Sequence, residues 1–127
     1  MNESSSKKIV LIVDDAPANL AVLSEILKSS YQLRAAKNGA LALKIAHAPT
    51  PPDVILLDVE MPDMDGFQVC EQLKSEDATR GIPVVFVTGH SQPEQQARGM
   101  ALGAVGYISK PVEPGKVLEM VADALGS

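Results

Sequence analysis

Ile9-Val10-Leu11-Ile12-Val13-Asp14-Asp15 sets five consecutive apolar residues against two aspartates. An apolar run without alternation reads as a strand buried on both faces, the kind found in parallel sheets covered by helices. Val54-Ile55-Leu56-Leu57-Asp58 repeats the pattern. Val84-Val85-Phe86-Val87-Thr88 repeats it again behind Pro83, with a hydroxyl in place of the acid. Proline is tolerated at a strand's first residue, so Pro83 fits a strand start.

Helical signals separate these runs. Pro17 suits a first helical turn, and Leu20, Leu23 and Leu27 recur on one face. Tyr31 to Ala36 alternates instead, with Tyr31, Leu33 and Ala35 against Gln32 and Arg34, which predicts a less buried strand at the sheet edge. Asn38-Gly39 turns into a short Ala/Leu helix ending near His47, and Ala48-Pro49-Thr50-Pro51-Pro52 resets the chain. Phe67, Cys70 and Leu73 mark a helix after a Pro/Asp/Gly loop. Ser91-Gln92-Pro93-Glu94 has capping-box spacing for a helix that Gly103 closes. Val105 to Ile108 predicts a short strand, and Pro114 starts a last helix with Val117, Val121 and Leu125 on one face. Five strands alternating with five helices through short connections require right-handed crossovers and a parallel sheet with helices on both faces. One domain over 8–127 is expected, after a flexible segment 1–7.

Composition narrows the function. Hydrophobic residues at 46% and charged residues at 21% exclude a disordered chain. No apolar run approaches the roughly 20 residues of a membrane span, and Met1 to Ser6 lacks the apolar stretch of a secretory signal. The single cysteine, Cys70, leaves no internal disulfide, which fits a reducing compartment. A cytoplasmic location without membrane insertion is expected. A net charge of −5 with scattered basic residues argues against direct nucleic-acid binding. Half of the sixteen acidic residues lie between Asp53 and Asp77, which hints at a local site.

In an open parallel α/β sheet, ligands bind beyond the carboxyl ends of the strands. Residues there are Asp14, Asp15, Asp58, Thr88 and Lys110. Three carboxylates at close quarters repel one another unless a cation neutralises them. Magnesium, a hard ion that takes oxygen ligands and shares one or two carboxylates with a phosphoryl group, does this. Phosphoryl transfer needs positioning and neutralisation of the equatorial oxygens. A carboxylate nucleophile, a metal, a lysine and a hydroxyl supply both, so the implied chemistry is attack by Asp58 on phosphorus to give an acyl phosphate.

Val13-Asp14-Asp15, Leu57-Asp58 with Met61-Pro62 and Asp65-Gly66, Val87-Thr88, and Tyr107-Ile108-Ser109-Lys110-Pro111 together resemble the receiver domain of bacterial two-component response regulators, from about Lys8 to Leu125. The resemblance implies a flavodoxin-like (βα)5 fold with strand order 2-1-3-4-5. It implies that Asp58 accepts a phosphoryl group from a histidine of a kinase or phosphotransfer protein. Magnesium would be bound by Asp15 directly, by Asp14 mostly through water, by Asp58 and by the Glu60 backbone carbonyl. Lys110 would contact the phosphoryl oxygens, the peptide before Pro111 would be cis, and Gly66 would be structural. On phosphorylation the Thr88 hydroxyl would swing toward the phosphoryl group and Tyr107 would rotate inward. That would remodel the face of the fourth helix, fifth strand and fifth helix for a downstream effector protein or domain. Glu60 and His90 would tune attack by water on the acyl phosphate. Gly89 stands where the family more often has alanine, and Val112 where a larger side chain is common.

Plainer readings stand beside these. Asp15 also fits a helix cap, and Asp63 and Asp65 fit turn residues. Tyr107 fits edge-strand filler as well as a switch. His90 reads as a loop residue, His47 as a cap facing the helix dipole, and Met100, Met120 and Cys70 as core. Two rival functions are a magnesium-dependent phosphatase of the haloacid-dehalogenase type and a receiver-like docking module that is never phosphorylated. The first wants a second aspartate where Glu60 stands. The receiver itself is expected to modify and slowly demodify itself rather than turn over a substrate.

Overall fold

The structure, a computed structural model, describes residues 7–89 and 92–126. Strands β1 (Ile9–Val13), β2 (Gln32–Ala36), β3 (Val54–Leu57), β4 (Val84–Thr88) and β5 (Gly106–Ser109) alternate with helices α1 (Pro17–Leu27), α2 (Gly39–Ala46), α3 (Gly66–Ser75), α4 (Pro93–Ala101) and α5 (Pro114–Ala124). All neighbouring strands pair in parallel, in the order β2-β1-β3-β4-β5. This is the expected flavodoxin-like arrangement.

The three unbroken apolar runs are buried because successive side chains point to opposite faces and both faces are covered. Leu11, Val13, Ile55, Leu57, Val84 and Phe86 pack against Ala42 and Ala46 of α2 and Phe67, Val69, Cys70 and Leu73 of α3. Val10, Ile12, Val54, Leu56, Val85 and Val87 pack on the other side against Leu23 and Leu27 of α1 and Val117 and Val121 of α5. Each valine, leucine, isoleucine or phenylalanine side chain among these contributes about 1.5–3 kcal/mol when fully buried. Helix starts follow local chemistry. Asn38 caps α2 through the Leu41 N–H, and Asp65 forms a reciprocal capping box with Gln68 on α3. Pro17 and Pro114 occupy first helical positions, as read. His47 is the C-cap residue of α2, with Nε2 3.4 Å from Glu76 Oε1.

Several expectations need correcting. On β2, Ala35 is exposed and Ala36 is the buried residue, because an edge strand ending in alanines leaves little area to cover on the α1 side. Strand β5 begins at Gly106, and Val105 is 50% exposed. Met100 is 48% exposed rather than core. Helix α4 turns Gly99 inward instead, since the Phe86 ring fills the space: a Cβ on Gly99 would lie 2.9 Å from two of its carbons. Beside it, the Arg98 guanidinium stacks 4.4 Å over the Phe67 ring. Helix α4 starts after Gln92 with no side-chain cap, and the capping reading of Ser91 falls outside the described residues. The same holds for the expected flexibility of residues 1–6.

Candidate phosphoacceptor and magnesium site

Parallel pairing puts the carboxyl ends of all five strands on one rim, and backbone hydrogen bonds tie those ends together. Asp14 N–H donates to Ala36 O at 3.1 Å, Asp58 N–H to Val13 O at 3.0 Å, and Lys110 N–H to Thr88 O at 2.9 Å. A cleft of about 490 Å³ opens there, lined by Asp14, Asp15, Asn19, Asp58, Glu60, Met61, Pro62, Thr88, Gly89 and Lys110. The five residues read from strand ends therefore do meet. Asp14, Asp58 and Thr88 are buried, while Asp15 is exposed at the mouth. Asp15 does not cap α1, whose N-cap residue is Ala16.

Lys110 joins the strands electrostatically. Its Nζ donates to Asp14 Oδ2 at 2.8 Å and lies 3.4 Å from Asp58 Oδ2. Burial raises the Asp58 carboxyl above its ordinary 3.8, and the Asp14 charge adds to the rise; Lys110 and a hydrogen bond from the Glu60 backbone offset only part. Burial pulls the Lys110 ammonium down, but the hydrogen bond to Asp14 and the two carboxylate charges outweigh it and hold the group above 10.5. One lysine thus faces two buried acids and cannot neutralise both.

The donor set fits a hard cation. One oxygen each from Asp14, Asp15 and Asp58 lies within 4.8 Å of the others, the only such acidic cluster among the described residues. A cation held by this set would compete with protons for Asp58. As pH falls through the raised Asp58 range, the carboxylate is lost earlier than for an ordinary aspartate. Magnesium affinity, followed by calorimetry, should accordingly fall on acidification from a pH above 3.8. The acid limb of phosphoryl uptake should move to lower pH as magnesium is raised. A limb that stays put as magnesium is varied would separate the ion from Asp58.

Other singled-out residues fall as follows. Glu60 is exposed on the cleft wall. Tyr107 is half-buried with its ring 5.6 Å from Phe86, which sits 5.2 Å from Phe67. Burial, and then the Asp58 charge, raise its phenol. The Lys110-Pro111 peptide is cis, and Asp63 has φ 71°. Gly66 lies against the Asp58 backbone: a Cβ there would be 2.2 Å from its carbonyl oxygen. A Cβ at Gly89 would meet nothing within 4 Å. Val112 packs against the α1–α5 cluster. His90 lies outside the described residues. Sequence reasoning missed Asn19, whose Nδ2 donates to Asp14 Oδ1 at 3.3 Å. Its signal was position: five residues after Asp14, in the first turn of α1, it lines the same cleft.

Comparison with known proteins agrees with this geometry. The model of the response regulator receiver domain matches residues 10–122. The chain is 46% identical over 110 residues to a probable cyclic di-GMP phosphodiesterase of Vibrio cholerae, covering 87% of this chain and 25% of that protein. It is 36% identical over 113 residues to protein PilH of Pseudomonas aeruginosa, covering 88% and 93%. It thus spans a quarter of the first relative's length and nearly all of the second's. A crystal structure of a putative response regulator from Chloroflexus aurantiacus superposes with a TM-score of 0.90 at 28% identity, over 96% of this chain and 100% of that one. These matches favour a signalling receiver over the phosphatase reading. The chain belongs to the response regulator receiver domain family, the phosphorylation-activated signalling module of two-component and phosphorelay systems.

Proposed function

We propose that Asp58 is the phosphoacceptor of this receiver and that it works with a magnesium ion held by Asp14, Asp15, Asp58 and the Glu60 backbone carbonyl. The observation that carries this reading is one ammonium shared between two buried carboxylates, with a third acid at the mouth. The ion, when bound, supplies charge neutralisation at the phosphoryl oxygens. An Asp58 oxygen attacks phosphorus, the bond from phosphorus to the donor histidine nitrogen breaks, and an acyl phosphate forms. Lys110 then exchanges a carboxylate partner for a phosphoryl oxygen. The Thr88 hydroxyl follows toward the phosphoryl group, and Tyr107 rotates inward behind it.

The receiver unit is taken as 8–127. The donor is a histidine kinase or histidine phosphotransfer protein, and the reader is an effector protein or domain docking on α4, β5 and α5. Glu60 and His90 govern attack by water, so they set the lifetime of the acyl phosphate. The domain modifies itself and turns over no substrate of its own, in the cytoplasm. No helix among the described residues is long and apolar enough to cross a membrane.

Intact-mass measurement after treatment with acetyl phosphate tests the reading. One phosphoryl group should appear with magnesium and far less without it. No uptake under either condition would remove the assignment. Lys110→Ala should take up the group more slowly, because a charge contact in the transition state is lost.

A further inference from the structure

We propose that Asn19 is a positioning residue that fixes the Asp14 carboxylate for magnesium and so sets the cation affinity of the cleft; the proposal rests on the reading of that cleft as the magnesium site. Both oxygens of Asp14 are engaged. Oδ1 accepts from Ala16 N–H at 2.9 Å and from Asn19 Nδ2 at 3.3 Å, while Oδ2 accepts from Lys110 Nζ at 2.8 Å. The Ala16 bond closes a tight local turn at Oδ1, while the Lys110 ammonium pulls on Oδ2 from across the cleft. The Asn19 amide comes from the first turn of α1 and is a second donor to Oδ1, set against the pull of Lys110 on Oδ2.

Its surroundings favour this partner. Asn19 lines the acidic cleft on one flank and, on the other, a mainly apolar hollow of about 180 Å³ formed with Val22, Leu23, Val87 and Val112. An amide with an apolar flank gains most by donating toward the acid. Without it, the Lys110 ammonium, already 2.8 Å from Oδ2, is opposed only by the Ala16 N–H and draws the carboxylate away from the cation. Partners that orient a metal's ligands typically change metal affinity by about 10–100-fold when removed.

The test is magnesium titration of the native chain, Asn19→Leu and Asn19→Gln by calorimetry, with melting temperature measured in parallel. Leucine keeps the volume and removes the donor; glutamine keeps the donor on a longer stem. Asn19→Leu should bind magnesium about tenfold more weakly, the low end of that range, at an unchanged melting temperature. Asn19→Gln should recover most of the affinity. Phosphoryl uptake by Asn19→Leu should be slow at low magnesium and return to the native rate at saturation. Native affinity in Asn19→Leu overturns the proposal. So does an equal loss in both variants with a lowered melting temperature, which would assign Asn19 to the packing of α1. Absence of magnesium binding in the native chain is a different failure, because it removes the reading of the cleft itself.

Discussion

Asp58→Asn should take up no phosphoryl group from acetyl phosphate at any magnesium concentration, and without magnesium it should melt at a higher temperature than the native chain. The first half follows from chemistry: an amide oxygen is a poor nucleophile, and Asp15, the exposed acid of the cluster, has no ion-paired ammonium among the described residues with which to replace Asp58. The second half follows from burial. The Asp58 carboxyl is raised above 3.8 by desolvation and by Asp14, so the folded state holds its proton more tightly than the unfolded chain does. Stability from that shift is present below 3.8 and lost as pH climbs through the raised value. At neutral pH the ionised carboxylate therefore opposes folding. Asparagine keeps the shape and removes the charge, and Lys110 retains Asp14 at 2.8 Å. Magnesium should reverse the order, since an ion bound more tightly by the folded native protein than by the variant would stabilise it by mass action. Uptake at the native rate, or a lower melting point without magnesium, would refute this account of Asp58.

How much of this was legible depended on burial. Ile9–Val13, Val54–Leu57 and Val84–Thr88 could be read directly, because a strand covered on both faces has no room for polar residues. The acids at their ends could be read for the complementary reason: a carboxylate at the edge of such a run needs a use or a partner. Strand order came from resemblance, since apolar runs do not say which neighbours they pair with. The finer misses share a cause. Ala35 and Ala36 differ too little in side chain for pattern to choose the buried one, and only the packing of each face decides. Met100 looked like core by hydrophobicity, yet the contact on α4 belongs to Gly99, because the bulk comes from Phe86 on the opposing strand. Asn19 was overlooked because an asparagine in a first helical turn reads as surface until Asp14 is placed beside it.

Gly66→Ala should damage both the fold and the site, and it tests whether the start of α3 is braced against the end of β3 that carries Asp58. The added Cβ would lie 2.2 Å from the Asp58 carbonyl oxygen and 2.9 Å from the Asp58 carbonyl carbon and Val59 Cα. All three are backbone atoms, so no side chain can rotate away to make room. Either α3 lifts, stretching the 2.8 Å bond from Gly66 N–H to Val59 O and disturbing the Asp65–Gln68 capping box, or the peptide after Asp58 shifts and carries its carboxylate off the rim. Overpacking of this kind costs about 1–3 kcal/mol, a fall in melting temperature of roughly 4–11 °C for a domain of this size. Gly115→Ala is the control, because a Cβ there meets nothing within 4 Å and alanine suits the first turn of α5. It should leave stability equal or slightly higher. Phosphoryl uptake at fixed magnesium then tells which side yields: a slowed Gly66→Ala means Asp58 has moved, and a native rate in a destabilised protein means α3 has. A variant as stable as Gly115→Ala would show that this close approach does not brace the site.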